Sequence, residues 1–119
     1  DKPVIDYDGD VIFSKCKISS LPIYFNRVGG CFGCFSNELT TLEGAPREVG
    51  RDFNCGNNNL TSLEGAPREV GGKFSCAHNN LTSLEGAPRE VGGDFYCIGN
   101  NLTSLEGAPE KIRGKIINN

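Results

Sequence analysis

One string dominates this chain. Leu-Thr-Ser-Leu-Glu-Gly-Ala-Pro begins at Leu60, Leu81 and Leu102, and its variant Leu-Thr-Thr-Leu begins at Leu39. The interval is 21 residues each time, and Phe32, Phe53, Phe74 and Phe95 keep the same period, as do Cys34, Cys55, Cys76 and Cys97. A unit of this size cannot bury its apolar edge alone, so neighbouring units must stack to close a shared core. Extending the register places Val11-Ile12-Phe13 and Ile116-Ile117-Asn118 on the Phe-x-Cys slot, and Ile18 and Leu21 on the Leu slots. Six strand candidates and five Leu-x-x-Leu turns follow. The expected organisation is one domain over 1–119, with 1–10 as an N-terminal cap and 11–119 as repeats. Even in the cap, Tyr7-Asp8-Gly9-Asp10 overlays Val28-Gly29-Gly30-Cys31.

Within a unit, period-two alternation puts Phe74 and Cys76 on one face of a short strand and Lys73, Ser75 and Ala77 on the other. The turn that follows carries Asn37, Asn58, Asn79 and Asn100 at one position, where a side-chain amide can bond both its own turn and the next coil. Leu60, Leu63, Ala66 and Val70, with their counterparts, complete the interior. Pro46, Pro67, Pro88 and Pro109 are expected to stiffen an irregular convex side without helix. The paired glycines at 29–30, 71–72 and 92–93 suit the tight bend back into the next strand.

The pattern Leu-x-x-Leu-x-x-x-Pro-x-x-Val-x-x-x-Phe-x-Cys-x-x-Asn resembles the short bacterial leucine-rich repeat of secreted effectors. It resembles more closely the Leu-Thr-Ser-Leu-Glu-Gly-Ala-Pro arrays of bacteriophage and bacterial proteins, and the likeness covers about Tyr7 to the C-terminus. The chain departs from the effector type at Glu43, Glu64, Glu85 and Glu106, which replace the usual first Pro, and by one extra residue before the strand. The resemblance implies a mainly β, right-handed parallel β-solenoid of about five and a half coils, with little or no helix, a concave sheet and a binding role.

Composition narrows the partner. Twelve Lys and Arg against 15 Asp and Glu make a mildly acidic chain, the wrong sign for gripping a phosphate backbone, and too weak a charge to imitate one. Nucleic acid is not expected. No apolar run approaches the ~20 residues of a membrane span. Four of the six cysteines occupy one repeat position beside Phe, which reads as a column of small buried hydrophobes and not as a disulfide framework. A reduced ladder implies a cytoplasmic setting, which the phage likeness would make that of a bacterial host. The chain opens on Asp1 and not Met, which points to a processed or trimmed start.

The units differ from one another mainly at the outward strand positions: Leu-Glu-Gly-Ala-Pro-Arg-Glu-Val-Gly is identical at Leu42, Leu63 and Leu84. Those variable positions are polar mid-chain and apolar at both ends, with Asn119 as the final one. Aromatic anchors among small neighbours are what protein interfaces favour. The candidate contact residues are Phe35, Asn54, Lys73, Ser75, Asp94, Tyr96 and Ile98. The expected function is non-enzymatic binding of a protein, sharpened by the phage resemblance to inhibition of a bacterial host defence protein. The alternative is self-assembly as a homodimer through an open strand edge at Ile116 and Ile117.

Other motifs carry less. Arg47, Arg68 and Arg89 beside Glu48, Glu69 and Glu90 read as a solvated face of weak ion pairs, with a charged docking strip as the rival reading. Cys31-Phe-Gly-Cys34 has metal-ligand spacing, but one thiol should point inward and the other outward, and no second such pair follows, so no metal and no cofactor is expected. A redox role lacks a helix N-terminus to lower a thiol pKa. The lone His78 has no nucleophile or carboxylate placed to work with it, so it reads as a solvated turn residue. The Thr-Ser rows resemble those of ice-binding solenoids only loosely, because they follow a turn. Asn59-Leu-Thr, Asn80-Leu-Thr and Asn101-Leu-Thr match the glycosylation sequon, a single coincidence copied by the repeat.

Overall fold

The computed structural model describes residues 4–118. Each coil contributes two short strands. They are β1 (Val4–Tyr7), β2 (Val11–Ile12), β3 (Tyr24–Val28), β4 (Phe32–Gly33), β5 (Glu48–Val49), β6 (Phe53–Asn54), β7 (Glu69–Val70), β8 (Phe74–Ser75), β9 (Glu90–Val91), β10 (Phe95–Tyr96), β11 (Lys111–Ile112) and β12 (Ile116–Ile117). No helix occurs among the described residues. Even-numbered strands form one six-stranded sheet and odd-numbered strands another. All pairings are parallel and join neighbouring coils, at the 21-residue register everywhere but the first half of β1, where a bulge between Ile5 and Asp6 shifts it by one; Phe53 lies opposite Phe74 and Val49 opposite Val70. The chain is therefore a parallel β-solenoid of about 21 residues per turn.

The even-numbered sheet lies where the Phe-x-Cys pattern places it. The second sheet corrects an expectation: the side carrying Arg-Glu-Val is not an irregular run of convex loops. Its strands are mostly two residues long, too short for period-two alternation to register in the sequence. They pair because stacking in register sets each Glu-Val against an identical Glu-Val. Val28, Val49, Val70 and Val91 are buried along this sheet. The segment read as an N-terminal cap supplies its first strand, β1, with Tyr7 opposite Val28; residues 1–3 lie outside the described residues.

Burial selects the same positions in every coil. Phe32, Phe53, Phe74 and Phe95 are almost wholly buried, with Cys34, Cys55, Cys76, Cys97 and the paired leucines beside them. The Phe rings stack nearly parallel at centroid spacings of 5.6, 5.2 and 5.1 Å. That spacing follows from the strand separation of about 4.8 Å, so the backbone repeat dictates the ring repeat. At the first coils Phe13 and Phe25 meet Phe32 edge-on, which ends the stack.

Asparagine bridges the coils. The Asn58 amide donates to the carbonyls of Cys55 in its own turn and Cys34 in the coil before, both at 3.0 Å, and its Oδ1 accepts the Leu39 N–H at 2.9 Å. Asn79 repeats the arrangement with Cys76, Cys55 and Leu60. Both are buried, and no buried side-chain polar atom lacks a partner among the described residues.

A second bridge appears in alternate coils. Asp10, Asp52 and Asp94 each accept the backbone N–H of the residue 21 positions on, at 2.8, 2.8 and 2.9 Å. The residue just before each acceptor's partner is Gly30, Gly72 or Gly114, where a Cβ would fall 2.2, 2.3 and 2.2 Å from the Asp Oδ1. The slot admits Arg51 one coil later, where Cys31 and not Asp stands below. At Gly93, above Lys73, an added Cβ meets nothing closer than 3.1 Å.

Gly72→Ala should therefore destabilise by about 1–3 kcal/mol and Gly93→Ala by less than about 1 kcal/mol, measured as urea midpoints at unchanged slope. Adding Asp52→Ala to Gly72→Ala should cost less than the two separate losses combined, since the carboxylate that collides is already gone. Equal costs at the two glycines would refute the pairing.

Candidate functional site

The variable residues converge on the outer face of the even-numbered sheet. In each strand the residues flanking an inward Phe and Cys point away from the core, so Phe35, Asn54, Ser75, Asp94, Tyr96 and Ile98 are half-buried and Lys73 is exposed. They do not form one uniform surface. An added Cβ on Gly33 would meet the Phe35 ring at 3.0 Å and Ile12 at 3.1 Å. The Phe35 ring thus lies across Gly33 beside Ile12, an apolar patch over the first two coils. Tyr96 and Ile98 make a second patch three coils on.

Between these patches several polar groups turn back onto their own backbone. Asn54 Oδ1 accepts the Gly56 N–H at 2.8 Å, and Ser75 Oγ accepts the Ala77 N–H at 3.4 Å. Asp94 uses Oδ1 on Lys115 N–H, and the Tyr96 hydroxyl sits 3.5 Å from its Oδ2. Asp94 is accordingly a structural bridge as well as a surface residue. Among the candidate residues of the middle coils, Lys73 is the exposed one. Asn119 lies outside the described residues.

One column escaped the sequence reading. Lys15, Ser36, Asn57 and His78 share a corner position and all hold left-handed backbone, with φ of 55, 58, 53 and 58°. Gly99 occupies the corner one coil on, at φ 72°. This conformation costs a residue with Cβ roughly 1–2 kcal/mol, so a corner shaped for stability alone would be glycine or asparagine throughout. The signal was present in the repeats: in the coils beginning at Asp52, Lys73 and Asp94, the corner differs as freely as the strand face while Leu-Thr-Ser-Leu stays fixed. His78 is exposed and leans over its neighbour, its Nδ1 2.2 Å from where a Gly99 Cβ would be.

The second sheet bears the charged columns. Arg47, Arg68 and Arg89 are exposed, and Arg89 lies 3.3 Å from Glu69 and 3.5 Å from Glu90. An open trough of about 720 Å³ follows Glu48, Glu69 and Glu90, floored by Gly50, Gly71 and Gly92. Exposed pairs of this kind contribute at most about 1 kcal/mol each.

The thiols divide into two sets. All six cysteines are free, with Cys16 exposed, Cys31 half-buried and the ladder Cys34, Cys55, Cys76 and Cys97 buried. Burial pushes the Cys34 thiol from 9.0 up to about 12. Burial also raises Cys55 and Cys76, reinforced by neighbouring ladder thiols, and raises Cys97. The Cys31-Phe-Gly-Cys34 pair is divided between the outer face and the core. Among the described residues no three His, Cys, Asp or Glu side chains cluster as metal ligands. Ile116 and Ile117 form β12 against β10, Ile116 exposed and Ile117 half-buried. No described helix is long and apolar enough to cross a membrane.

No known protein family, curated protein or solved structure matches the chain.

A thiol reagent should modify Cys16 and Cys31 in the native protein and the other four only after unfolding, counted by mass spectrometry. Because the ladder pKa values are raised on folding, their contribution is intact below pH 9 and is lost as pH rises from about 9 towards 12, so the urea midpoint should fall across that window. Separately, His78→Gly should raise stability by about 0.5–1 kcal/mol despite removing a side chain, because glycine relieves the left-handed strain.

Proposed function

We propose that the chain is a non-enzymatic protein-binding module that engages its partner through the outer face of the even-numbered sheet and the adjoining left-handed corner. The observation that supports this most is the distribution of variation. In the coils beginning at Asp52, Lys73 and Asp94, the residues differ at the outward strand positions and the corner, while core and turn are identical up to Pro109 and the second-sheet segment changes only in the last coil, from Arg-Glu-Val to Glu110-Lys111-Ile112. Core constraints alone do not explain which surface varies, because Thr61, Thr82 and Thr103 are just as exposed and do not change. Strain at the corner argues in the same direction: residues kept where glycine is favoured are kept for their side chains.

Phe35 and Tyr96 are the anchors of this reading, and Asn54, Ser75, Lys73, Asp94 and Ile98 the surrounding contacts. The likeness to phage arrays supports a sharper version, in which a phage or mobile-element protein binds and inhibits a bacterial host defence protein in the cytoplasm. Bacterial lysate passed over the immobilised chain tests it. A host protein should be retained by the native form and lost at least tenfold by Phe35→Ala with Tyr96→Ala, matched for folding by circular dichroism, since buried anchors contribute about 2 kcal/mol or more each. Equal retention by both forms refutes the face as the binding surface.

A further inference from the structure

We infer that the variable face is self-complementary and pairs with a second copy of this chain, face to face across a twofold axis; this rests on the reading of that face as a protein-binding surface and names a partner for it. The argument begins with charge. Asp10, Cys31, Asp52, Lys73, Asp94 and Lys115 occupy one outward column, one per coil. From Asp52 onward the sign alternates with each step of about 4.8 Å. A twofold axis parallel to the strands and lying between the coils of Asp52 and Lys73 reverses the coil order while keeping each column opposite itself. Asp52 then faces Lys73 of the second copy, and Asp10 faces its Lys115. Asp10, Asp52, Lys73 and Lys115 are all exposed.

The other columns agree with the same axis. Asn54 meets Ser75, Gly56 meets Ala77, and Phe35 meets Ile98, so polar, small and apolar residues each face their own kind. Tyr96 faces Gly33 and the Phe35 ring laid across it, an aromatic contact on an aromatic patch. Moving the axis by half a coil in either direction brings Asp52 onto Asp52 or Lys73 onto Lys73, and like charges directly opposed are destabilising. An axis parallel to the solenoid keeps the coil order and sets the charged column against Ser14, Phe35, Gly56, Ala77 and Ile98, which offer it no counter-charge. Among these arrangements one leaves no like-charge contact and covers every coil, and it is isologous, as closed dimers require.

Size sets the strength. Six coils at the strand spacing, by five residues at the strand rise, give roughly 480 Å² per copy. That is well below the ~800 Å² per partner of a standard interface, which places the pair among weak, exchanging associations. A tighter foreign partner would displace the second copy from the same face.

Sedimentation equilibrium between about 10 µM and 1 mM tests the association. The average mass should climb from 12.8 kDa towards twice that value, Lys73→Glu should weaken the dimer at least tenfold, and Lys73→Arg should retain it. Lys73 suits the test because its backbone N–H, and not its side chain, holds Asp52. Cross-linking reads the order of the coils. In a Cys16→Ser, Cys31→Ser background, Phe35→Cys mixed with Ile98→Cys should form a disulfide-linked pair on mild oxidation, and neither alone should. Each like-positioned pair is separated by three coils, about 14 Å. A monomer throughout the concentration range, an unaltered dimer for Lys73→Glu, or cross-linking of Ile98→Cys with itself would overturn the proposal. A foreign protein retained by a strictly monomeric chain would also overturn it, while leaving the binding reading standing.

Discussion

Each coil is tied to the one before it by an amide that bonds in both directions. Asn58 and Asn79 donate to carbonyls of two successive turns and accept an N–H from the earlier coil. A buried amide can satisfy that many groups only if every coil presents the same carbonyls at the same height. Leaving such groups unpaired costs about 1–3 kcal/mol each, so the corner enforces the 21-residue period. The parallel sheets, the Phe stack and the thiol ladder are consequences of that registration, because all of them require identical positions to lie one strand spacing apart.

Registration also decides where sequence is free. Inward positions meet copies of themselves, so a Phe of one size must stack on a Phe of the same size, and a change in one coil disturbs two neighbours. Outward positions on the even-numbered sheet meet solvent, and their neighbours tolerate Gly33, Asn54, Ser75 or Tyr96 in turn. A solenoid thereby separates stability from recognition more cleanly than a globule, whose surface and core share the same elements. The separation is incomplete at Asp52 and Asp94, which belong to the outer face and also hold the next coil through its backbone.

Much of this was legible in the sequence because the repeat exposes it. The Phe-x-Cys strands, the inward cysteines and the asparagine bridge follow from position and alternation alone, and all lie where those rules put them. The second sheet was not legible. Glu-Val is too short to alternate, and its pairing comes from the register of whole coils and not from local propensity. The Asp-to-Gly pairing was hidden for another reason: its residues are 20 positions apart and recur only in alternate coils, so a search for a 21-residue period averages it away. Of the surface, the strand positions were readable as variable. The corner of Lys15, Ser36 and His78 was not read as part of the binding face, because only the backbone angle reveals that these side chains are held at a cost.

The alternation of Asp and Lys in one column links these levels. Where Asp stands in the column, its carboxylate fills the space of the Cβ at position 30, 72 or 114, and that coil closes on glycine. The coil of Cys31 closes on Arg51, whereas the coil of Lys73 closes on Gly93, so Asp requires the glycine but the glycine does not require Asp. Packing thus sets where a glycine must stand and leaves the charge of the outward residue to the surface. The charge pattern that a partner would meet is in this way laid over a coil-to-coil contact without being dictated by it.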